Sequence, residues 1–257
     1  MRKLHILLFA ALFILLTGCG ANSNPNRTEL TVSAAASLRE ALEEAGKIYS
    51  NQNPDIKIVY NFGGSGSLQQ QISQGAPVDL FVSASQDQFN LLMSKKLIDQ
   101  SNNVNLLKNE LVIITQKDNG NLPSVISLAN DKISRIAIGT PETVPAGMYA
   151  KQALLSLGLW EGLEKKLIQT KDVRQVLSYV ETGNVDAGIV YKTDAMVSDK
   201  VKVITLQNEG LHDPIIYPAG VIAGTKHQQE ASRFLDFLKG NEAMNIFEKY
   251  GFKAALE

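Results

Sequence analysis

Four short stretches of this 257-residue chain place backbone N–H groups at the expected start of a helix. In AAASLREALEE, Ser37 and Glu40 have the S-x-x-E spacing of a capping box directly after a strand. In NFGGSGSLQQQI (61–72), Ser65 to Ser67 feed a helix-forming run, and Ser67 and Gln70 form a weaker capping pair. In TPETVPAGMYAKQALLSLG, Pro145 suits the first helical position and puts Ala146 in the first turn. In TKDVRQVLSYVE, Asp172 suits the N-cap and Val173 the first helical residue. The first N–H groups of a helix lack an internal partner and sit at the positive end of its dipole. Such ends bind anions without a charged side chain. Glycines at 63, 64 and 66 are expected to permit close backbone approach and positive φ. A single such serine is usually just a cap, worth about 1 kcal/mol. Only convergence of several helix starts on one cleft makes an anion site, and sequence spacing does not fix convergence.

Enzymatic readings find less support. His5 lies in the leader, and His212 and His227 sit in polar, loop-like sequence with no second histidine or cysteine at metal-ligand spacing. GGSGS misses G-x-S-x-G because position 67 is Ser, and it misses the P-loop because no Lys-Ser/Thr follows. G-x-G-x-x-G fails at Gln69. No pair of carboxylates is set apart by an apolar run. A formal net charge of −1 argues against a nucleic-acid binder. The chain is read as a binding protein, not an enzyme.

The N-terminus has its own logic. Arg2 and Lys3 precede an unbroken apolar run from Ile6 to Leu16. A spanning helix needs roughly twenty apolar residues, so this run has the shape of a secretory signal. LTGCG (16–20) resembles the lipobox of bacterial lipoproteins, which implies cleavage before Cys19 and lipid on its sulfur. Cys19 is the only cysteine, so no disulfide forms within the chain. Residues 1–18 are thus expected to be a signal peptide and 19–29 a polar, lipid-anchored tether. The protein is expected at the outer face of the cytoplasmic membrane.

Short apolar runs alternate with helical stretches from Glu29 onward. Strands are expected at 29–35, 56–62, 79–84, 110–116, 135–139, 186–191, 201–206 and 216–223. Helices are expected at 38–50, 67–74, 86–94, 146–157, 173–182, 228–238 and 242–250. This alternation predicts an α/β fold with mostly parallel sheets. Changes of composition near 110 and 210 suggest a discontinuous first lobe, 30–109 and 215–257, and a continuous second lobe, 110–214.

TVSAAASL, NFGGSGSLQQQISQGAPVDLFVSASQDQ, TPETVPAGMYAKQAL, KDVRQVLSYVETGNVDAGIVYKTDA and FEKYGF closely resemble the molybdate-binding proteins of bacterial molybdate ABC transporters. The resemblance runs from about Leu30 to the C-terminus with the motifs in order. It implies the type II periplasmic-binding-protein fold, two α/β lobes joined by two crossover strands and closing on a tetrahedral oxyanion. The family's ligand positions fall on Ser37, Ser65, Ala146, Val173 and Tyr191. The serines there give hydroxyl and N–H, Ala146 and Val173 give N–H, and Tyr191 gives its hydroxyl. Tyr191 enters through the resemblance alone. FGGSGS departs from the family, which often has more serines or alanines there.

A site made only of donors suits a fully deprotonated dianion, molybdate or tungstate, because every contact is then a charge-assisted hydrogen bond. Phosphate keeps a proton at neutral pH, and that proton would meet another donor at a cost of roughly 1–3 kcal/mol. Sulfate, also proton-free, can be rejected only by size. No cofactor is expected. The expected partners are the oxyanion, an ABC permease with its ATPase subunit, and the membrane through lipid on Cys19, with the protein a monomer. A receptor of the same fold for sulfate is the alternative. A serine hydrolase using Ser65 is the alternative from another class.

Overall fold

The computed structural model describes residues 27–118, 122, 124–206 and 210–255. The expected signal peptide, Cys19 and the tether up to residue 26 lie outside the described residues. The chain first runs β1 (Thr28–Ala35), a 3-10 turn (Ala36–Leu38), α1 (Arg39–Gln52), β2 (Ile56–Gly63), α2 (Ser65–Ser73), β3 (Leu80–Val82), α3 (Gln86–Ser94) and β4 (Ile98–Lys108). It then runs β5 (Leu111–Gln116), β6 (Ile136–Gly139), α4 (Pro145–Ser156), α5 (Trp160–Leu163), β7 (Leu167–Thr170), α6 (Val173–Glu181), β8 (Ala187–Tyr191), α7 (Lys192–Met196) and β9 (Val201–Thr205). Last come β10 (Ile216–Ile222), α8 (Gln228–Lys239), α9 (Asn241–Lys249) and β11 (Lys253–Ala254).

Two sheets result, in the orders β11-β4-β10-β3-β1-β2 and β7-β6-β8-β5-β9. The first sheet takes strands from both ends of the chain, and the second takes only the middle. The chain crosses from the first to the second through Asn109 and Glu110 and comes back before Ile216. Asn109 N–H donates to Ile215 O at 3.2 Å, so the two crossings are tied together.

The expectation of mostly parallel sheets is corrected. β1 pairs in parallel with β2 and β3, and β6 with β7 and β8. β10 runs antiparallel to β3 and β4, β11 to β4, and β5 to β8 and β9. Crossover helices force parallel pairing only between the strands they connect. β5 and β10 instead enter their sheets from the other sheet, and each runs against its neighbours.

The strands carry near-continuous apolar runs because helices cover them. Leu30, Val32 and Ala34 of β1 and Ile113 and Ile114 of β5 are fully buried. The helices bury one stripe. On α6 it is Val173, Val176, Leu177 and Val180, the 3–4 spacing of an amphipathic helix. That stripe pins the start of α6 at the mouth of the second sheet.

Candidate functional site

β1 ends at Ala35, and the chain enters the 3-10 turn immediately. This extra turn overturns the expected capping box. The turn is capped at Ala35 and α1 at Leu38, neither by a side chain. Ser37 is turned inward instead, with Oγ 3.0 Å from Tyr217 Oη. Ser65 is the first residue of α2, whose N-cap is Gly64, so Ser67 lies within the helix and does not cap it. Ser65 is fully buried, and its Oγ accepts the Ala84 N–H at 2.9 Å.

The glycines before α2 do not have positive φ, contrary to expectation. Gly64 has φ −66°. Close approach explains them. A Cβ on Gly64 would lie 2.8 Å from Thr143 O and 3.0 Å from Lys171 O. A Cβ on Gly66 would lie 2.8 Å from Thr143 Cα. Gly66 N–H donates to Thr143 O at 2.9 Å, joining the α2 start to the segment before α4.

The second sheet supplies two further helix starts. Pro145 opens α4 after Val144, so Ala146 has no intrahelical acceptor for its N–H. Asp172 caps α6, its Oδ1 accepting the Gln175 N–H at 2.9 Å, and Val173 is the first helical residue. Both features follow the sequence expectation. Tyr191 closes β8 and is almost completely buried. Its hydroxyl has no hydrogen-bond partner of good geometry. The Tyr217 ring meets it edge-on, centroids 5.8 Å apart at 62°. Burial above all, with Tyr217 and Tyr149 nearby, holds the Tyr191 phenol well above its ordinary pKa. It therefore stays protonated and able to donate.

Ser37, Ser65, Ala146, Val173 and Tyr191 line one small cavity, together with Ala35, Gly64 and Ala84. The cavity sits at the carboxyl ends of β1, β2 and β8, where open α/β sheets bind ligands. Its lining contains no carboxylate, lysine, arginine or histidine. The polar groups its residues can offer are hydroxyls and backbone N–H groups, set in a largely apolar wall without formal charge.

A larger cavity of about 420 Å³ opens at the other end of the first sheet, beside Glu29, Thr31 and Asp79. Its buried carboxylate is already occupied. Asp79 accepts the Thr31 N–H at 2.7 Å and the Thr225 hydroxyl, and its Oδ1 lies 3.3 Å from His227 Nδ1. His212 packs on Tyr149 with ring centroids 5.7 Å apart. Neither histidine lines the cavity around Ser65, so Ser65 has no histidine base there. Among the described residues no group of three His, Cys, Asp or Glu could hold a metal ion, and no helix is long and apolar enough to cross a membrane.

Four residues around the site escaped the sequence reading. Arg174, next to Val173, pairs with Glu40 of α1 and lies 3.6 Å from Asp194 Oδ1. Asp194 is fully buried, which pushes its pKa up to about 7 even though Arg174 pulls the other way. Tyr217 contacts Ser37, and Asn109 Nδ2 donates to Tyr217 Oη at 3.1 Å. Only a tyrosine in an apolar strand and an asparagine at a crossing marked them in sequence.

Two α/β lobes with a donor-lined cavity between them define a solute-binding receptor. Residues 30–253 match the bacterial extracellular solute-binding protein family, and the chain belongs to that family. It is 48% identical over 261 residues to Bacillus subtilis (strain 168) YvgL, provisionally named an ABC transporter substrate-binding lipoprotein, covering 99% of this chain and 100% of that one. It is 37% identical over 256 residues to the molybdate-binding protein ModA of Escherichia coli (strain K12), covering 98% of each chain. The structure of the Azotobacter vinelandii periplasmic molybdate-binding protein overlays with TM-score 0.79 at 24% identity, covering 87% of this chain and 98% of that one. The sulfate-binding protein SubI of Mycobacterium tuberculosis H37Rv also overlays with TM-score 0.79, at 14% identity, covering 89% and 88%. Equal overlap with a molybdate and a sulfate receptor means that overall shape does not choose the anion.

Proposed function

We propose that this chain captures molybdate, and tungstate, in the cavity between its lobes and delivers it to an ABC permease with its ATPase. The observation that carries this reading is the convergence of Ser37, Ser65, Ala146, Val173 and Tyr191 on one cavity with no charged side chain. In this reading the serines donate O–H and N–H, Ala146 and Val173 donate N–H, and Tyr191 donates O–H. The first lobe comprises 30–109 and 215–257 and the second 110–214, so the donors come from both. An anion bridging them favours the closed form by its differential affinity for that form. The relatives named for molybdate support the choice of anion, and the smaller tetrahedral sulfate is the competing ligand. Lipid on Cys19 holds the protein, a monomer, at the outer face of the cytoplasmic membrane.

Calorimetric titration of residues 20–257 with molybdate, tungstate, sulfate and phosphate tests the reading. Tight one-to-one binding of the first two with weak sulfate and phosphate is expected. Preference for sulfate would keep the receptor and change its cargo. Silence toward all four in a folded protein would remove the ligand assignment.

A further inference from the structure

Tyr217 backs Ser37 and Asn109 backs Tyr217, neither of them lining the cavity, and their hydrogen bonds have a fixed direction. Asn109 Oδ1 accepts the Glu110 N–H at 2.8 Å, which settles which way the amide faces. Its Nδ2 must then donate, to Thr193 Oγ1 at 2.9 Å and to Tyr217 Oη at 3.1 Å. An amide NH₂ has no acceptor capacity. Tyr217 Oη therefore receives a hydrogen from Asn109 and has one hydrogen of its own to place.

Tyr217 is fully buried, so that hydrogen has no water to turn to. Ser37 Oγ, at 3.0 Å, is the acceptor within reach. If Ser37 donated instead, Tyr217 would accept twice and its own hydrogen would be stranded in the core, which is costly. The phenol does not escape by ionising, because burial holds its pKa well above the ordinary value. With Tyr217 donating into Ser37 Oγ, the Ser37 hydrogen must point elsewhere, and the side left is the cavity.

We infer that Asn109 and Tyr217 are positioning residues that set the anion selectivity of this receptor by locking the Ser37 hydroxyl as a donor toward the cavity. This inference rests on the oxyanion reading and deepens it. The chain of hydrogens runs Asn109 to Tyr217 to Ser37 to anion. Ser65 is locked in a parallel way, since its Oγ accepts the Ala84 N–H. Each serine keeps a second lone pair, but turning it toward a proton on the ligand would leave the serine's own hydrogen without an acceptor. A proton-free oxyanion satisfies both hydroxyls, and a protonated one leaves a donor facing a donor.

Tyr217→Phe keeps the ring and removes only the oxygen. Wild type and Tyr217→Phe are titrated with molybdate and with inorganic phosphate above neutrality, where phosphate is also a dianion but keeps one proton. The comparison then isolates the proton from the charge. In the variant the Ser37 rotor is released and can accept. The molybdate-to-phosphate affinity ratio is expected to fall by about tenfold. In a Ser37→Ala background the same Tyr217→Phe change is expected to leave the ratio unmoved, because the rotor it controls is gone. A purely structural role for Tyr217 would weaken both anions alike, and an unchanged ratio overturns the inference while leaving the receptor reading intact. A wild type that binds neither molybdate nor any other oxyanion overturns the receptor reading, and the inference with it. Asn109→Ala reads the same link from the crossing and keeps the test available if Tyr217→Phe does not fold. It is expected to lower the ratio in the same direction, and no change there also overturns the inference.

Discussion

The two sides of the cavity reach the same chemistry by different means. In the proposed site the first-lobe donors are the hydroxyls of Ser37 and Ser65, each held by a protein group behind it, Tyr217 and the Ala84 N–H. On the second-lobe side Ala146 and Val173 present N–H groups at the starts of α4 and α6, and their side chains are incidental. A hydroxyl can donate or accept and must be told which. An amide N–H can only donate. The first lobe therefore needs a supporting layer, while the second needs only a helix that begins in the right place.

The sharpest test of this contrast is where the two sides touch. A Cβ on Gly66 would meet the Thr143 backbone at 2.8 to 2.9 Å. Gly66→Ala should hold the sides apart and cut molybdate affinity by about a hundredfold, judged from the usual cost of overpacking. Thermal melting of the unliganded protein should change little. Retained affinity would mean that the contact is dispensable.

Next comes the hydroxyl side. Ser65→Ala removes a donor, so calorimetry should show a loss of about 2 kcal/mol in binding, and the Ala84 N–H left unpaired lowers stability separately. On the amide side the informative variant is Val173→Pro. Proline is tolerated at the first helical position, and extended Asp172, with φ −160° and ψ 168°, suits the residue before it. The change deletes one N–H and should weaken binding about tenfold. Val173→Ala keeps the N–H and should shift affinity by no more than about threefold, although it costs stability through a core cavity. Equal effects of the two substitutions would break the distinction between the sides.

The remaining effect is on stability and leaves the anion contacts untouched. Asp194 has an ordinary pKa of 3.8 and is pushed up to about 7 by burial. Between those values the folded protein holds a proton that the unfolded chain has lost. Stability therefore falls as pH rises through that window and levels off above it. Asp194→Asn should flatten this slope, by about 10 °C of Tm across the window. A slope identical to wild type would mean that Asp194 does not titrate there.

Much of this was legible in the sequence, for local reasons. Pro145 and Asp172 mark their helix starts because capping is decided within four residues. β1, β5 and β8 carry apolar runs that need no partner to be read. β4 was missed because IDQSNNVNLLK is polar for most of its length, and its pairing with β10 shifts register at two places. Ser37 was misread as a cap because what holds it, Tyr217, lies 180 positions away. The glycines of FGGSGS read in sequence as sites of close approach and positive φ; Thr143 and Lys171 make the close approach, and the positive φ is absent. Contacts made across the chain leave no periodic trace. The supporting layer behind Ser37 is built almost entirely from them.

Tyr217 is also held from behind by the Phe252 ring, edge-on at 5.5 Å and 82°, and Phe252 leans on Phe247 at 6.1 Å. Just beyond it, β11 pairs with β4, and Ala255 N–H donates to Leu106 O at 3.0 Å. Phe252 and the short strand β11 after it are thereby linked to the proposed choice of cargo. A nonsense change at Phe252 would spare every cavity-lining residue yet unseat the ring that steers Ser37. A cell carrying it would still export a receptor with a complete set of ligand contacts, and would be expected to lose discrimination between anions when the scarce one must be picked from an abundant one.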